Sequence, residues 1–357
     1  MHTDISSNIP IDRVKLSRIG EVDFEKLQFG KMFSDHMFVA DFIDGVWQIP
    51  RIEPYKKLEL SPSSAVIHYG QSIFEGMKAY KNEDGKVMLF RPLDNFKRLN
   101  KSAERMCMPI LPEEIFMEGL KQLISIDSSW IPTKEEGSLY IRPFMFASDE
   151  YIGIRPSDTY KFMIITSPVG NYYTEAVKVL VENNFTRAVE GGVGFVKAAG
   201  NYGRSLYPAK IAQEKGYHQL IWTDAIEHKY IEESGTMNVM FVIGDTLVTP
   251  PTSTTILSGI TRDSVLTLAR DWGVNVEERR INIDELVEAS KNGLLKDAFG
   301  TGTAATIAHI ALICYQGIDF HLPPVEERTF SNKVKEELQK IRRGQSPDKH
   351  NWVLKLN

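Results

Sequence analysis

"YIEESGTMNVMFVIGDTLVTPP", residues 230–251, reads as strand, tight turn and strand, with Gly244-Asp245 at the turn. Two strands joined so tightly must pair antiparallel, because parallel neighbours need a crossover of a dozen or more residues. The same pattern recurs upstream. "HMFVADFIDGVWQIPRI" (36–52) carries a hairpin signal at Asp44-Gly45, and "AVIHYGQSIFEGMKAYKNEDGKVMLFRP" (65–92) turns at Asp84-Gly85. "SLYIRPFMF" (138–146), "YKFMIITSPVG" (160–170), "VKVLVE" (177–182), "HQLIWT" (218–223) and residues 274–281 add strands, and "DAFGTGTAATIAHIALICY" (297–315) closes the core. Helices fit residues 93–106, where Phe96, Leu99, Ala103 and Met106 share a face, and 112–126, 204–215 and 262–271, with another opening near Asp284. Strands outnumber helices and many are hairpin-linked. The expected class is therefore mixed α/β, with mostly antiparallel or mixed sheets and flanking helices rather than a doubly wound sheet.

The totals set outer limits. A chain of 357 residues suggests about two domains. Apolar alternation gives way to Pro, Gly and Asn at "SPVGNYYT" (167–174), so a small domain over 1–167, a linker over 168–178 and a large domain over 179–357 are expected. A net charge of −5, with scattered arginines, offers no field for nucleic acid or an anionic membrane. Cys107 and Cys314 make no disulfide framework, and "MHTDISSNIPIDRVKLSRIG" has no signal pattern and reads as a short arm. A soluble cytoplasmic protein is the expectation.

Several positions carry chemistry. Lys197, in "FVKAAGNYGRSLYPAK" (195–210), precedes the small residues Ala198, Ala199 and Gly200, against which a flat ligand could lie; an exposed loop lysine is the plain alternative. Gly259, Ile260 and Thr261 stand at the mouth of a helix, where backbone N–H groups and the helix dipole favour phosphate, although on these residues alone an ordinary Thr cap after a loop glycine is the preferred reading. "FGTGTAAT" (299–306) is a second Gly/Thr cluster able to face an oxyanion, and neither cluster is a Walker loop or a dinucleotide fingerprint. Arg142 alternates with Tyr140 and Phe144 on one strand face and needs either an anion or an internal carboxylate. Arg98 falls on the polar side of its helix and reads as solvated. Adjacent Glu232 and Glu233 must point to opposite faces of a strand, one toward a ligand and one toward solvent, or both lie at the surface. A Schiff-base lysine, a phosphate cradle, a carboxylate for a pyridine nitrogen and a cation for a substrate carboxylate together make up the requirements of pyridoxal-phosphate chemistry. No metal is called for.

In order and spacing, "YGQSIFEGMKAY", "NFKRLNKSA", "SLYIRP", "GGVGFVKAAGNYG", "EESGTMN", "LSGITRDSVL" and "FGTGTAA" resemble the branched-chain amino acid aminotransferases, which are two-domain pyridoxal-phosphate enzymes of fold type IV. The likeness runs from about residue 29 to the C-terminal tail. By position it implies that Lys197 bonds the cofactor and moves the proton. Glu233 would hold the pyridine nitrogen, Tyr202 the ring hydroxyl oxygen, and Thr236 would lie beside them. Arg98, Ile260, Thr261 and Thr303 would take phosphate, so the resemblance reverses the solvated reading of Arg98.

The resemblance also implies an apolar substrate pocket walled by Phe29, Tyr69, Phe74 and Tyr140, with Thr303 and Ala304 taking the α-carboxylate. Arg142 would help accept the distal carboxylate of glutamate or 2-oxoglutarate. Ile152 and Ile154, in "DEYIGIRPS" (149–157), match a loop lent to a partner subunit, so a homodimer follows. The implied reaction is ping-pong transfer of an amino group between L-leucine, L-isoleucine or L-valine and 2-oxoglutarate. Ala305 and Ala308 replace the Cys-x-x-Cys pair of mammalian relatives, which removes thiol control there.

Overall fold

Tight turns shape the first half of the chain. In the computed structural model, which describes residues 9–134, 136–170, 173 and 175–356, strand β1 (His36–Ile43) reverses through Asp44 and Gly45 into β2 (Val46–Trp47). Both turn residues have positive φ, 52° and 76°, the primed-turn geometry that suits the twist of paired strands. Then follow β3 (Arg51–Pro54), β4 (Ser72–Phe74), β5 (Met77–Lys81), β6 (Val87–Phe90), β7 (Ser138–Ala147) and β8 (Tyr160–Val169). With the C-terminal strand Val353–Leu356 they form one nine-stranded sheet, and every pairing in it is antiparallel. Helices Pro92–Arg105 and Glu113–Ile126 supply Leu99, Ala103, Phe116 and Leu120 to its core, with Phe96 and Met106 at the margin.

The second sheet also has nine strands, β9 (Val177–Glu182), β10 (Gln219–Thr223), β11 (Ile231–Ser234), β12 (Met237–Ile243), β13 (Thr246–Thr249), β14 (Asn275–Glu278), β15 (Leu295–Gly302), β16 (Thr306–Tyr315) and β17 (Ile318–His321). Pairing runs β11-β10-β9-β16-β15-β12 and returns from β12 to β11, closing a ring that leaves those strands no free edge. Parallel and antiparallel pairs are mixed here, so the fold class read from the residues is the one observed. The strand expected over 274–281 ends at Glu278, opposite Thr249; beyond Thr249, Pro250 and Pro251 have no N–H with which to extend the ladder.

The chain divides into two compact units, one of residues 1–172, 197–199 and 340–357 and one of 173–196 and 200–339. A single cut at 168–178 would place 340–357 in the second domain, but long-range pairing assigns that segment to the first. Val353–Leu356 lies antiparallel to β6, and Arg343 donates to the carbonyls of Lys81, Lys134 and Gly137. Part of the expected N-terminal arm (1–8) and of the expected linker (171, 172 and 174) lies outside the described residues. Among the described residues no helix is long and apolar enough to cross a membrane, and no group of His, Cys, Asp and Glu is arranged to hold a metal.

Candidate active site

In the first unit the chemistry gathers around Glu75, between β4 and β5. Glu75 is fully buried. Arg98 donates from Nε to Oε1 and from Nη2 to Oε2, both at 2.8 Å, and Asn95 Nδ2 donates to Oε2 at 2.7 Å. Burial pushes the Glu75 carboxyl up, but the charge and hydrogen bonds of Arg98, the charge of Lys197 and the Asn95 bond outweigh it and hold the group below its ordinary value. Arg98 is therefore no solvated arginine: its side chain is 11% exposed and, with Asn95 one helix turn earlier, is committed to a buried carboxylate.

Lys197 is fixed through its backbone. Ser102 Oγ accepts from the Lys197 N–H at 3.0 Å and donates to the Arg98 carbonyl at 3.0 Å, while the Phe74 N–H donates to the Lys197 carbonyl at 3.1 Å. An isolated bridge pairs Ile73 with Ala198. The side chain is only half-buried and lies with Nζ 4.7 Å from the centre of the Phe74 ring. Ala198 is buried beside the strand end, whereas Gly200 is exposed and a Cβ there would meet nothing within 4 Å.

Strand β7 brings Tyr140 and Arg142 to the same face, as period two demands. The Arg142 guanidinium lies 4.5 Å from the Phe74 ring centre and 5.3 Å from that of Tyr140, and it donates to Tyr140 Oη at 2.8 Å. Among the described residues it pairs with no carboxylate, and its Nε is buried without a hydrogen-bond partner. Of the two readings of Arg142, the internal ion pair is the one not found. Phe29 meets Tyr140 edge-on at 4.8 Å. A Cβ on Gly76 would come within 2.4 Å of Tyr140 Oη, so glycine there makes room for the phenol. Tyr69 ends the short helix Ala65–Tyr69 and is exposed; Ile152 and Ile154, two residues apart, are 65% and 96% exposed.

In the second unit Glu233 is buried at the end of β11, and its Oε1 accepts from Arg187 Nη2 at 3.0 Å and from the Leu257 N–H at 2.8 Å. Arg187 also donates to the carbonyls of Gly194 and Thr255. Glu232 turns the other way, yet it is buried as well, so neither glutamate is a surface residue. Thr236 is exposed in the turn joining β11 to β12, and Tyr202 is half-buried in the short helix Ala199–Gly203. Helix Ile260–Asp271 begins at Gly259, and Thr261 lies inside it and buried, so Thr261 is not the cap. A Cβ on Gly259 would stand 1.9 Å from Asn238 Oδ1, which forces glycine at the helix mouth. Thr303 and Ala304 occupy the turn between β15 and β16, next to Thr301, whose Oγ1 is buried without a partner.

Residues 72–313 match the sequence pattern of the family described as amino-transferase class IV. The chain belongs to the class IV aminotransferases. It falls among their branched-chain members: it is 47% identical to the branched-chain-amino-acid aminotransferase 2 of Bacillus subtilis, over 94% of this chain and 93% of that one. Of solved structures, it resembles a branched-chain aminotransferase from Thermoproteus uzoniensis with norvaline, at 26% identity and a TM-score of 0.74, over 89% of this chain and 99% of that one. It also resembles the T.th. branched-chain aminotransferase complexed with N-(5'-phosphopyridoxyl)-L-glutamate, at 24% identity and a TM-score of 0.71, over 89% and 98% of the chains.

As a branched-chain aminotransferase the chain has residues suited to a pyridoxal phosphate. Glu233 is held by a guanidinium and an N–H, which favours a carboxylate that can face a protonated ring nitrogen. The glycine-only contact at Gly259 sets the start of a twelve-residue helix, the right end for a phosphate. Three residues of this aminotransferase escaped the sequence reading. Glu75 stands in the quoted "YGQSIFEGMKAY" and Ser102 in "NFKRLNKSA", yet only their fold contacts give them roles. Arg187 lies ten residues before Lys197 with no local signal.

Proposed function

We propose that this aminotransferase moves the amino group of L-leucine, L-isoleucine or L-valine to 2-oxoglutarate in two half-reactions on pyridoxal phosphate. When bound, that cofactor supplies the electron sink that lets the substrate Cα–H ionise. Lys197 is the covalent anchor and carries the proton to and from the substrate Cα. Glu233 keeps the ring nitrogen protonated, Tyr202 holds the ring oxygen with Thr236 nearby, and Arg98, Ile260, Thr261 and Thr303 receive the phosphate. The observation that carries the reading is the Lys197 backbone, tied to Ser102 and Phe74 so that its amine stays beside an aromatic face and the Glu75–Arg98 pair.

Phe29, Tyr69, Phe74 and Tyr140 form apolar walls for a branched side chain, whose burial is worth about 1.5–3 kcal/mol. Thr303 and Ala304 take the α-carboxylate. Arg142 accepts the distal carboxylate of the second substrate, and the Tyr140 hydroxyl and the two rings satisfy it when a branched chain is bound. The exposed Ile152 and Ile154 support a homodimer in which this loop is covered by a second copy.

The absorption spectrum of the purified protein, taken before and after L-leucine, tests the reading. A cofactor band that L-leucine shifts, lost together with turnover in Lys197→Ala, is expected. A colourless protein, or turnover retained in that variant, would remove Lys197 from the reaction.

A further inference from the structure

The second unit contains a cavity of about 300 Å³ with a buried floor and an open rim. Glu232, Thr255 and Ile256 are buried in the floor, and Ser253, Thr254 and Arg280 lie exposed at the rim. Glu232 is 7% exposed; its Oε1 accepts from Thr255 Oγ1, whereas its Oε2 is buried with no hydrogen-bond partner among the described residues. A carboxylate oxygen out of water with nothing donating to it is costly, so the cavity lacks a donor at that point.

We propose that this cavity is a binding site for a small aliphatic ammonium compound, whose N–H donates to the Glu232 carboxylate while its alkyl body lies against the apolar lining. The surrounding charges select a cation. Asp224 and Glu190 line the same cavity, against the single guanidinium of Arg280, which is stacked over Tyr230 at 3.6 Å. Asp224 cannot be the recognition group, because the backbone N–H groups of Ile226, Glu227, Lys229 and Tyr230 already occupy its oxygens. Arg187 makes no ion pair with Glu232 among the described residues; its Nη2 donates to Glu233 and to the Gly194 and Thr255 carbonyls. A metal ion would need several ligands converging, and no such group exists among the described residues. The apolar lining, with Ile231, Ile256, Pro250 and Pro251, suits a hydrocarbon body, and the volume stands at the small end of ligand pockets.

Proton linkage gives the site a signature. Burial first, then the charges of Glu233 and Asp224, push Glu232 up to about 7, against the Thr255 hydrogen bond and the Arg187 charge. An ammonium binds the ionised form, so its apparent affinity rises as pH passes upward through that value. The inference does not rest on the transamination reading, since none of the residues assigned to that reaction lines this cavity.

The probe is N,N-dimethylpropylamine, a tertiary amine that cannot condense with an aldehyde. Calorimetric titration into the holoenzyme at pH 8 is expected to give saturable binding of one molecule per chain. Affinity should fall about tenfold at pH 6 and at least about tenfold in Glu232→Gln. If that variant does not fold, the pH series on the unaltered chain decides. Absence of saturation at pH 8, binding unchanged in folded Glu232→Gln, or tighter binding at pH 6 would each overturn the proposal.

Discussion

Arg98 grips Glu75 at two points, Nε on Oε1 and Nη2 on Oε2, each at 2.8 Å, in a setting where the carboxylate has no access to water. Removing one member of such a pair strands the other. Arg98→Ala is expected to cost about 3–5 kcal/mol of stability in urea unfolding, and Glu75→Gln less, because the amide still accepts one bond. The folded pKa of Glu75 lies below its ordinary 4.5, so the stabilisation is present above 4.5 and lost as pH falls through the lower folded value. Acid titration of the melting temperature should be less steep in Glu75→Gln.

Glu232 has the opposite sign. Its folded pKa of about 7 exceeds the ordinary 4.5, so its contribution is intact below 4.5 and is lost as pH rises toward 7. Glu232→Gln avoids that loss. Its stability relative to the unaltered chain should climb across that window by about 3 kcal/mol, read as a melting-temperature difference that is larger at pH 8 than at pH 4.5. An equal difference at both would contradict the assignment.

Gly76→Ala places a methyl 2.4 Å from Tyr140 Oη, and Phe29 packed edge-on at 4.8 Å limits how far that ring can move. A cost of about 1–3 kcal/mol is expected, with a raised KM for L-leucine if Tyr140 walls the substrate pocket as proposed. Unchanged unfolding and kinetics would mean that the phenol has room that the packing denies it.

On the proposed reading, Arg142→Leu should separate the two substrates. The KM for 2-oxoglutarate should rise at least about tenfold, the loss of a charge-assisted contact, while that for L-leucine changes by no more than about threefold. An equal change in both would assign Arg142 to wall packing alone.

Legibility followed the range of the interactions. The hairpins at Asp44-Gly45 and Gly244-Asp245 were readable because adjacent residues dictate a turn. The face shared by Tyr140 and Arg142 was readable because a strand alternates. Period two also put Glu232 and Glu233 on opposite sides, but it carries no information on what covers each side, and both proved buried. Arg98 looked solvated because its carboxylate partner lies 23 residues away, in the link between β4 and β5. The return of residues 340–357 to the first unit had no local sign either, since a four-residue edge strand is recognised only by the neighbour it pairs with.

That return has a consequence for biosynthesis. The second unit needs nothing beyond Gln339, whereas the sheet of the first, translated earlier, waits for Val353–Leu356 to reach β6. Of the two units, the one whose strands leave the ribosome first is thus the last to seal its border, and until then β6 offers bare amides and carbonyls to other nascent chains.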